Sequence, residues 1–251
     1  MSGTVFITGS GRRIGRALAL GFADAGWNVA VHYGSSRDEA IETLEAVRGR
    51  GVRGELYGAD VRDREAIREA IFEAADAFGS IDVLVNNAGV YPAAARIEDV
   101  SEQMWRSVVE TNLYGEFYAA QAAAEVMLRA EGSGEAGRIV NLSSLGAFQI
   151  WKNRIPYNVS KAAVVQLTKS LARALAPRIA VNSVAPGAIE IPEEPAGGGL
   201  LDAERIPMRR YGSVEDIFTA VWFFATTSSY ITGQTLVVDG GLGIAQETSQ
   251  Q

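Results

Sequence analysis

Tyr157 and Lys161 stand four residues apart in a stretch of helical periodicity, Pro156 to Leu175. That interval puts both side chains on one helix face, where the ammonium can act on the phenol. A free phenol has a pKa of about 10, too high for easy proton exchange near neutrality, and a neighbouring cation favours the phenolate. Tyr157 can then donate a proton to a developing alkoxide or take one from an alcohol. A core tyrosine and a surface lysine also meet at this spacing, so the pair needs partners.

A second group of residues reads as an anion site. Thr8-Gly9-Ser10-Gly11-Arg12-Arg13-Ile14-Gly15 lies between a short apolar stretch and an Ala/Leu-rich one. Glycines at such a turn let backbone N–H groups and the start of a helix approach a pyrophosphate without an intervening Cβ. The next strand-like stretch ends Val31-His32-Tyr33-Gly34-Ser35-Ser36-Arg37, with no carboxylate from residue 32 to 37. A dinucleotide with a free ribose 2′-hydroxyl usually meets Asp or Glu there. Ser35, Ser36, Arg37 and Arg12 instead suit a dianionic 2′-phosphate, so the expected cofactor is NADPH/NADP. The alternative is that Ser35 and Ser36 cap the next helix and Arg37 is solvated.

These residues must be held by a scaffold, and the chain alternates short β-rich runs with helical ones. Strands are expected at 4–8, 28–33, 53–57, 81–85, 138–142, 179–184 and 235–238. Helices are expected at 13–25, 38–50, 63–78, 101–129, 156–175 and 214–225. Near-continuous apolar strands separated by helices imply a parallel sheet covered on both faces. The expected fold is α/β, a single doubly wound Rossmann-type domain over residues 1–251 with a seven-stranded parallel sheet.

Further segments carry a resemblance: Asn86-Asn87-Ala88-Gly89, Asn112, Ser144, Tyr157-Asn158-Val159-Ser160-Lys161, Pro186-Gly187 and Val238-Asp239-Gly240-Gly241. With the glycine turn, they make the sequence resemble the short-chain dehydrogenase/reductase family over nearly its whole length. The resemblance implies Asn112, Ser144, Tyr157 and Lys161 as catalytic residues. Ser144, not Ser143, has the interval to Tyr157 at which the family places a serine that binds the substrate carbonyl. The lysine would also hold the nicotinamide ribose, and Asn112 would anchor a water leading from the lysine to solvent. Asp60 and Val61 would flank the adenine, Asn86 to Gly89 would wall the adenosine ribose, and the Ile189 backbone would meet the nicotinamide carboxamide. For Asp60 the competing reading is a solvated helix cap.

The family's usual turn has glycine where this chain has Arg13. That arginine, together with His32-Tyr33 and Tyr91-Pro92, is similar to the pteridine reductase branch, and Tyr91 could stack on a flat pterin. That branch carries aspartate at the position of Ser144, whereas a serine hydroxyl suits a carbonyl and resembles 3-oxoacyl-acyl-carrier-protein reductases. The expected activity is therefore carbonyl reduction, with pteridine reduction as the alternative and a non-catalytic NADP sensor as a third reading. Tyr91, Phe148, Ile150 and Trp151 are expected to shape the substrate pocket. The stretch 190–206, with Gly197 to Gly199 as hinges, is expected to be a lid or else a solvated loop.

Bulk properties narrow the classes. The 251 residues carry a formal charge of −7 and no cysteine, which excludes disulfides and thiol chemistry and disfavours nucleic acid and anionic lipid as partners. One histidine, His32, leaves no His-based metal site, and none is expected; it reads as a packing residue at a strand end. No apolar run approaches the roughly 20 residues of a membrane span. A cytoplasmic protein acting on a small molecule is expected. By resemblance the chain would form a homotetramer, a dimer of dimers, through the alanine-rich helices near Phe117 to Leu128 and Ala162 to Ala176.

Overall fold

The computed structural model describes residues 3–129, 134–135, 137–191 and 202–245. Its strands are β1 (Thr4–Ile7), β2 (Asn28–Tyr33), β3 (Gly54–Gly58), β4 (Val83–Asn86), β5 (Gly137–Leu142), β6 (Ile179–Pro186) and β7 (Thr235–Val238). All pair in parallel in the order β3-β2-β1-β4-β5-β6-β7. The helices are α1 (Arg13–Asp24), α2 (Arg37–Arg48), α3 (Arg64–Phe78), α4 (Glu102–Val109), α5 (Gly115–Met127), α6 (Ile155–Leu175) and α7 (Val214–Thr226). The expected α/β class and seven-stranded parallel sheet are both present.

Alternate strand residues feed two cores, as the period-two pleat requires. Phe6 and Leu84 pack with α3 and α5, while Val5, Ile7, Val83 and Val85 pack with α1, α2 and α7. Each β1 and β4 side chain is buried, which is why these strands read as unbroken apolar runs. The alanines of α5, Ala119, Ala120 and Ala122 to Ala124, are buried against the sheet and do not form an external face.

One expectation needs correction, and another lies largely outside the described residues. The single helix over 101–129 is broken by a π-helical turn, Glu110–Tyr114, between α4 and α5. The widened ladder is filled by Asn112, whose amide leaves the helix to bond elsewhere. The stretch 190–206 enters with Ile191 buried and leaves through a 3₁₀ turn at Ala203–Arg205; residues 192–201, including the hinge glycines, lie outside the described residues. No described helix is long and apolar enough to cross a membrane.

His32 does more than pack. It is 1% exposed at the end of β2, where its Nδ1 accepts the Gly9 N–H at 3.0 Å and its Nε2 lies 3.0 Å from the Ala59 carbonyl. A carbonyl can only accept, so Nε2 carries the proton and Nδ1 has none: the ring is neutral. Burial lowers its pKa from 6.5 to about 4. Because the unfolded chain binds this proton more readily, the contribution is present above pH 6.5 and is lost as pH falls through 4. The shift corresponds to about 3 kcal/mol. Urea midpoints of wild type and His32→Gln should converge over that interval on acidification; parallel curves would overturn the assignment.

Candidate active site at the carboxyl ends of the strands

The sheet order reverses its winding between β1 and β4, and the two strand ends are stapled together there. Thr8 Oγ1 accepts the N–H groups of Asn87 and Ala88 at 2.9 and 3.0 Å. Asn87 Nδ2 returns two bonds, to the carbonyls of Thr8 and Gly9 at 2.9 and 3.0 Å. Asn86, expected in the same wall, is instead fully buried: its amide donates to the Glu116 carbonyl and to Asn141 Oδ1. Only Asn87, Ala88 and Gly89 reach the crevice.

The glycine turn sits on one side of this staple. Gly9 holds a φ of +64°, and a Cβ on Gly15 would lie 2.2 Å from the Gly9 carbonyl oxygen. Gly15 therefore lets α1 start directly on the turn. Arg13 has a φ of +54° where the family's turn carries glycine, so the left-handed backbone persists with a side chain added. That conformation costs roughly 1–2 kcal/mol in a residue other than glycine. Asp63, Ser101 and Ser213 cap α3, α4 and α7 with their side chains, whereas α1 and α2 receive no side-chain cap. The first N–H groups of α1 thus receive no acceptor from the N-cap side chain; Ile14 is half-buried and Arg12 exposed beside them. Ser36 does not cap α2, against the alternative raised from sequence; Ser35 and Arg37 are exposed beside it. Tyr33 lays its ring over Gly58, which closes the outer side of that strand end.

Further along the edge, Asp60 is not a helix cap: it binds Arg62 through bonds of 2.5 to 3.0 Å, and the cap of α3 is Asp63. This pairing with Arg62 holds the Asp60 carboxyl below its usual range. The Val61 side chain is turned inward onto Gly115, so its backbone alone faces outward. After β6, the Gly187 N–H bonds Val238, and Ile189 forms a parallel bridge with Gly212 through the flanking groups of Ala188 and Glu190. Ile189's own N–H and C=O therefore point to the opposite side of that segment. Pro186 ends β6 fully within the sheet.

The reacting cluster lies between β5, α6 and the π turn. Ser143 donates to the Lys161 carbonyl at 2.9 Å, which commits its hydroxyl to α6. Ser144 accepts the Gly146 N–H at 3.1 Å, and its own proton remains to be donated. A Cβ on Gly146 would lie 3.4 Å from the Tyr157 ring, so the tyrosine rests on the turn that Ser144 opens. One helical turn on, Lys161 is 5% exposed and its ammonium donates to the Leu142 carbonyl at 2.5 Å and to Glu116 Oε1 at 3.1 Å. Asn112 ties the pieces: its Oδ1 accepts the Val90 N–H at 2.7 Å, and its Nδ2 donates to the Val90 carbonyl and to Ser160 Oγ.

Aromatic rings enclose Tyr157. Trp151 stacks on it at 5.9 Å with the planes 12° apart, and Tyr91 meets it edge to face at 4.8 Å. Arg154 lies 4.2 Å over the Tyr91 ring and donates to the Pro92 carbonyl, pinning the 91–95 segment to α6. One face of Tyr91 is thereby occupied, which the sequence did not reveal. Phe148 and Ile150 project into solvent at the mouth. Glu116 had no place in the sequence reading; an acidic residue inside an otherwise Ala- and aromatic-rich helix was its only signal. No group of three or more His, Cys, Asp or Glu able to hold a metal occurs among the described residues.

Comparison with known proteins places the chain in a family. The family model described as enoyl-(acyl carrier protein) reductase matches residues 9–243. The chain is 40% identical over 247 residues to the 3-oxoacyl-acyl-carrier-protein reductase FabG of Staphylococcus epidermidis, covering 96% of this chain and 99% of that one. Among solved structures, acetoin dehydrogenase YohF from Salmonella typhimurium is 35% identical with a TM-score of 0.86, covering 98% and 99% of the two chains. A short-chain dehydrogenase/reductase from Serratia marcescens is 33% identical with a TM-score of 0.88, over 96% and 98%. The chain belongs to the short-chain dehydrogenase/reductase family and is an oxidoreductase of that family.

Proposed function

We propose that this enzyme is an NADPH-dependent reductase of a carbonyl, a 3-oxoacyl thioester or another small ketone, with Tyr157 as general acid. The observation that carries the reading is the packing of Tyr157 on the Ser144 turn, with the Lys161 ammonium one helical turn away. Bound NADPH would supply the hydride. The uncapped start of α1 and the bare Gly15 suit its pyrophosphate, held by Gly9, Gly11, Arg12, Arg13, Ile14 and Gly15. Tyr33, Ser35, Ser36, Arg37 and Arg12 receive the 2′-phosphate, and Asp60 with the Val61 backbone flanks the adenine. Asn87, Ala88 and Gly89 wall the ribose; Pro186, Gly187 and the free Ile189 backbone groups hold the carboxamide.

The chemistry follows from the donors left over. Ser144 donates its hydroxyl proton to the carbonyl oxygen and polarises it. Tyr157 gives up its phenolic proton to the same oxygen as the alkoxide develops, and the Lys161 cation favours the phenolate that remains. Asn112 keeps the 87–90 turn at the distance Lys161 needs and anchors the water that returns a proton. Tyr91, Phe148 and Trp151 line the substrate side. A pterin is less well served, since no carboxyl stands at Ser144 and Arg154 covers one face of Tyr91. A second copy is expected to cover Trp105, Tyr114, Phe117 and Leu128, exposed apolar residues of α4, the π turn and the two ends of α5.

Tyr157→Phe should retain NADPH binding and lose about 10²- to 10⁴-fold in turnover of a β-ketoacyl thioester or diketone, followed as NADPH oxidation. Near-normal turnover would refute the role of the phenol. NADPH should bind at least roughly tenfold more tightly than NADH, and Arg37→Ala should narrow that ratio. Equal dissociation constants in the wild type would refute the 2′-phosphate site. Light scattering coupled to gel filtration should give a mass of two or four chains, reduced by Phe117→Glu; a monomeric wild type would exclude the proposed contact.

A further inference from the structure

Glu116 lies on the buried side of α5, 3% exposed, with Oε1 3.1 Å from the Lys161 ammonium and Oε2 without a hydrogen-bond partner. Asn86 Oδ1, whose amide group donates to the Glu116 backbone carbonyl, is also buried and unpartnered. Both orphan atoms are acceptors, so each lacks a donor. A proton on Glu116 would supply one. Lys161 has three N–H groups, and Glu116 and the Leu142 carbonyl take two. A Cβ on Gly89 would stand 3.8 Å from the Lys161 nitrogen, so the ammonium lies against the exposed 89–90 turn.

The geometry points to Glu116 as a positioning residue that anchors Lys161 from within the core, aims its third N–H at the crevice, and adjusts the ammonium's counter-charge by taking or releasing a proton. This rests on the reductase reading above. The elements packed on α5 set the charges around the carboxyl. From α6 come Lys161 and, one turn earlier, Tyr157; from β4 and β5 come the neutral amides of Asn86 and Asn141. The α3 cations Arg64 and Arg68 are engaged at the surface with Gln121 and Glu125, and Glu110 of the π turn faces Arg106. Lys161 is thus the charge that faces the carboxyl. Burial raises the Glu116 pKa from 4.5 to about 7 and the ammonium opposes that rise, so the proton exchanges in the neutral range.

The test compares wild type, Glu116→Gln and Glu116→Val in NADPH-dependent ketone reduction across pH, together with infrared pH-difference spectra of the proteins without cofactor. Wild type should show an inflection in kcat near neutrality that Glu116→Gln lacks. Glu116→Val, which removes the anchor, should lower kcat by roughly tenfold with KM for the ketone nearly unchanged. The spectra should contain the band of a buried protonated carboxyl that fades as pH rises through neutrality and is missing from Glu116→Gln. Superimposable pH profiles, or a wild-type spectrum without that band, would overturn the proposal. Should the wild type reduce no carbonyl, the reductase reading fails while the spectra still decide the protonation of Glu116.

Discussion

The architecture depends on the point where a parallel sheet changes its direction of winding. Strands β1 and β4 are neighbours, but their following segments leave to opposite sides, and the gap between them has no chain to fill it. Such a gap would leave backbone groups unpaired. Here Thr8 and Asn87 cross it with four hydrogen bonds, fixing the glycine turn against the 87–89 turn. The crevice proposed for a dinucleotide is built around that join. His32 adds a brace from β2, so the turn is held from both neighbouring strands.

The elements were legible because their signals are local and redundant. The apolar runs of β1 and β4, the i,i+4 spacing of Tyr157 and Lys161, and the glycines before α1 each point one way. What sequence could not supply were facts of orientation. Asn86, at the end of β4, and Val61, in the turn after β3, sit beside crevice residues, yet their side chains face inward. The aromatic enclosure of Tyr157 depends on three segments that meet only after folding. Glu116 was missed for the same reason: its partner lies on another helix, and an acid in a helix ordinarily reads as solvated.

Arg13 illustrates how a motif can be broken while its geometry is kept. The usual turn carries glycine, and Arg13 here adopts the left-handed backbone that glycine takes most readily. The start of α1 is thereby unchanged in course, and the substitution adds a long cationic side chain beside an anion-seeking helix end. Strain held at one residue is tolerable where the surrounding contacts determine the conformation, and the Thr8, Asn87 and His32 bonds do so.

The π turn at 110–114 has a consequence for which lengths of chain this fold can accept. An α-helix advances about 100° per residue, so the wider turn sets the rotational phase of α5 relative to α4. In that phase Glu116 and the alanines face inward while Trp105 and Phe117 face out. Five residues in a π turn cover nearly the rotation of four in an α-helix, so winding all five as regular α-helix would swing α5 by about a quarter turn and carry the carboxylate away from the lysine. The extra residue thus costs α5 none of its phase, and the widened turn it creates is what lets Asn112 reach Val90 and Ser160.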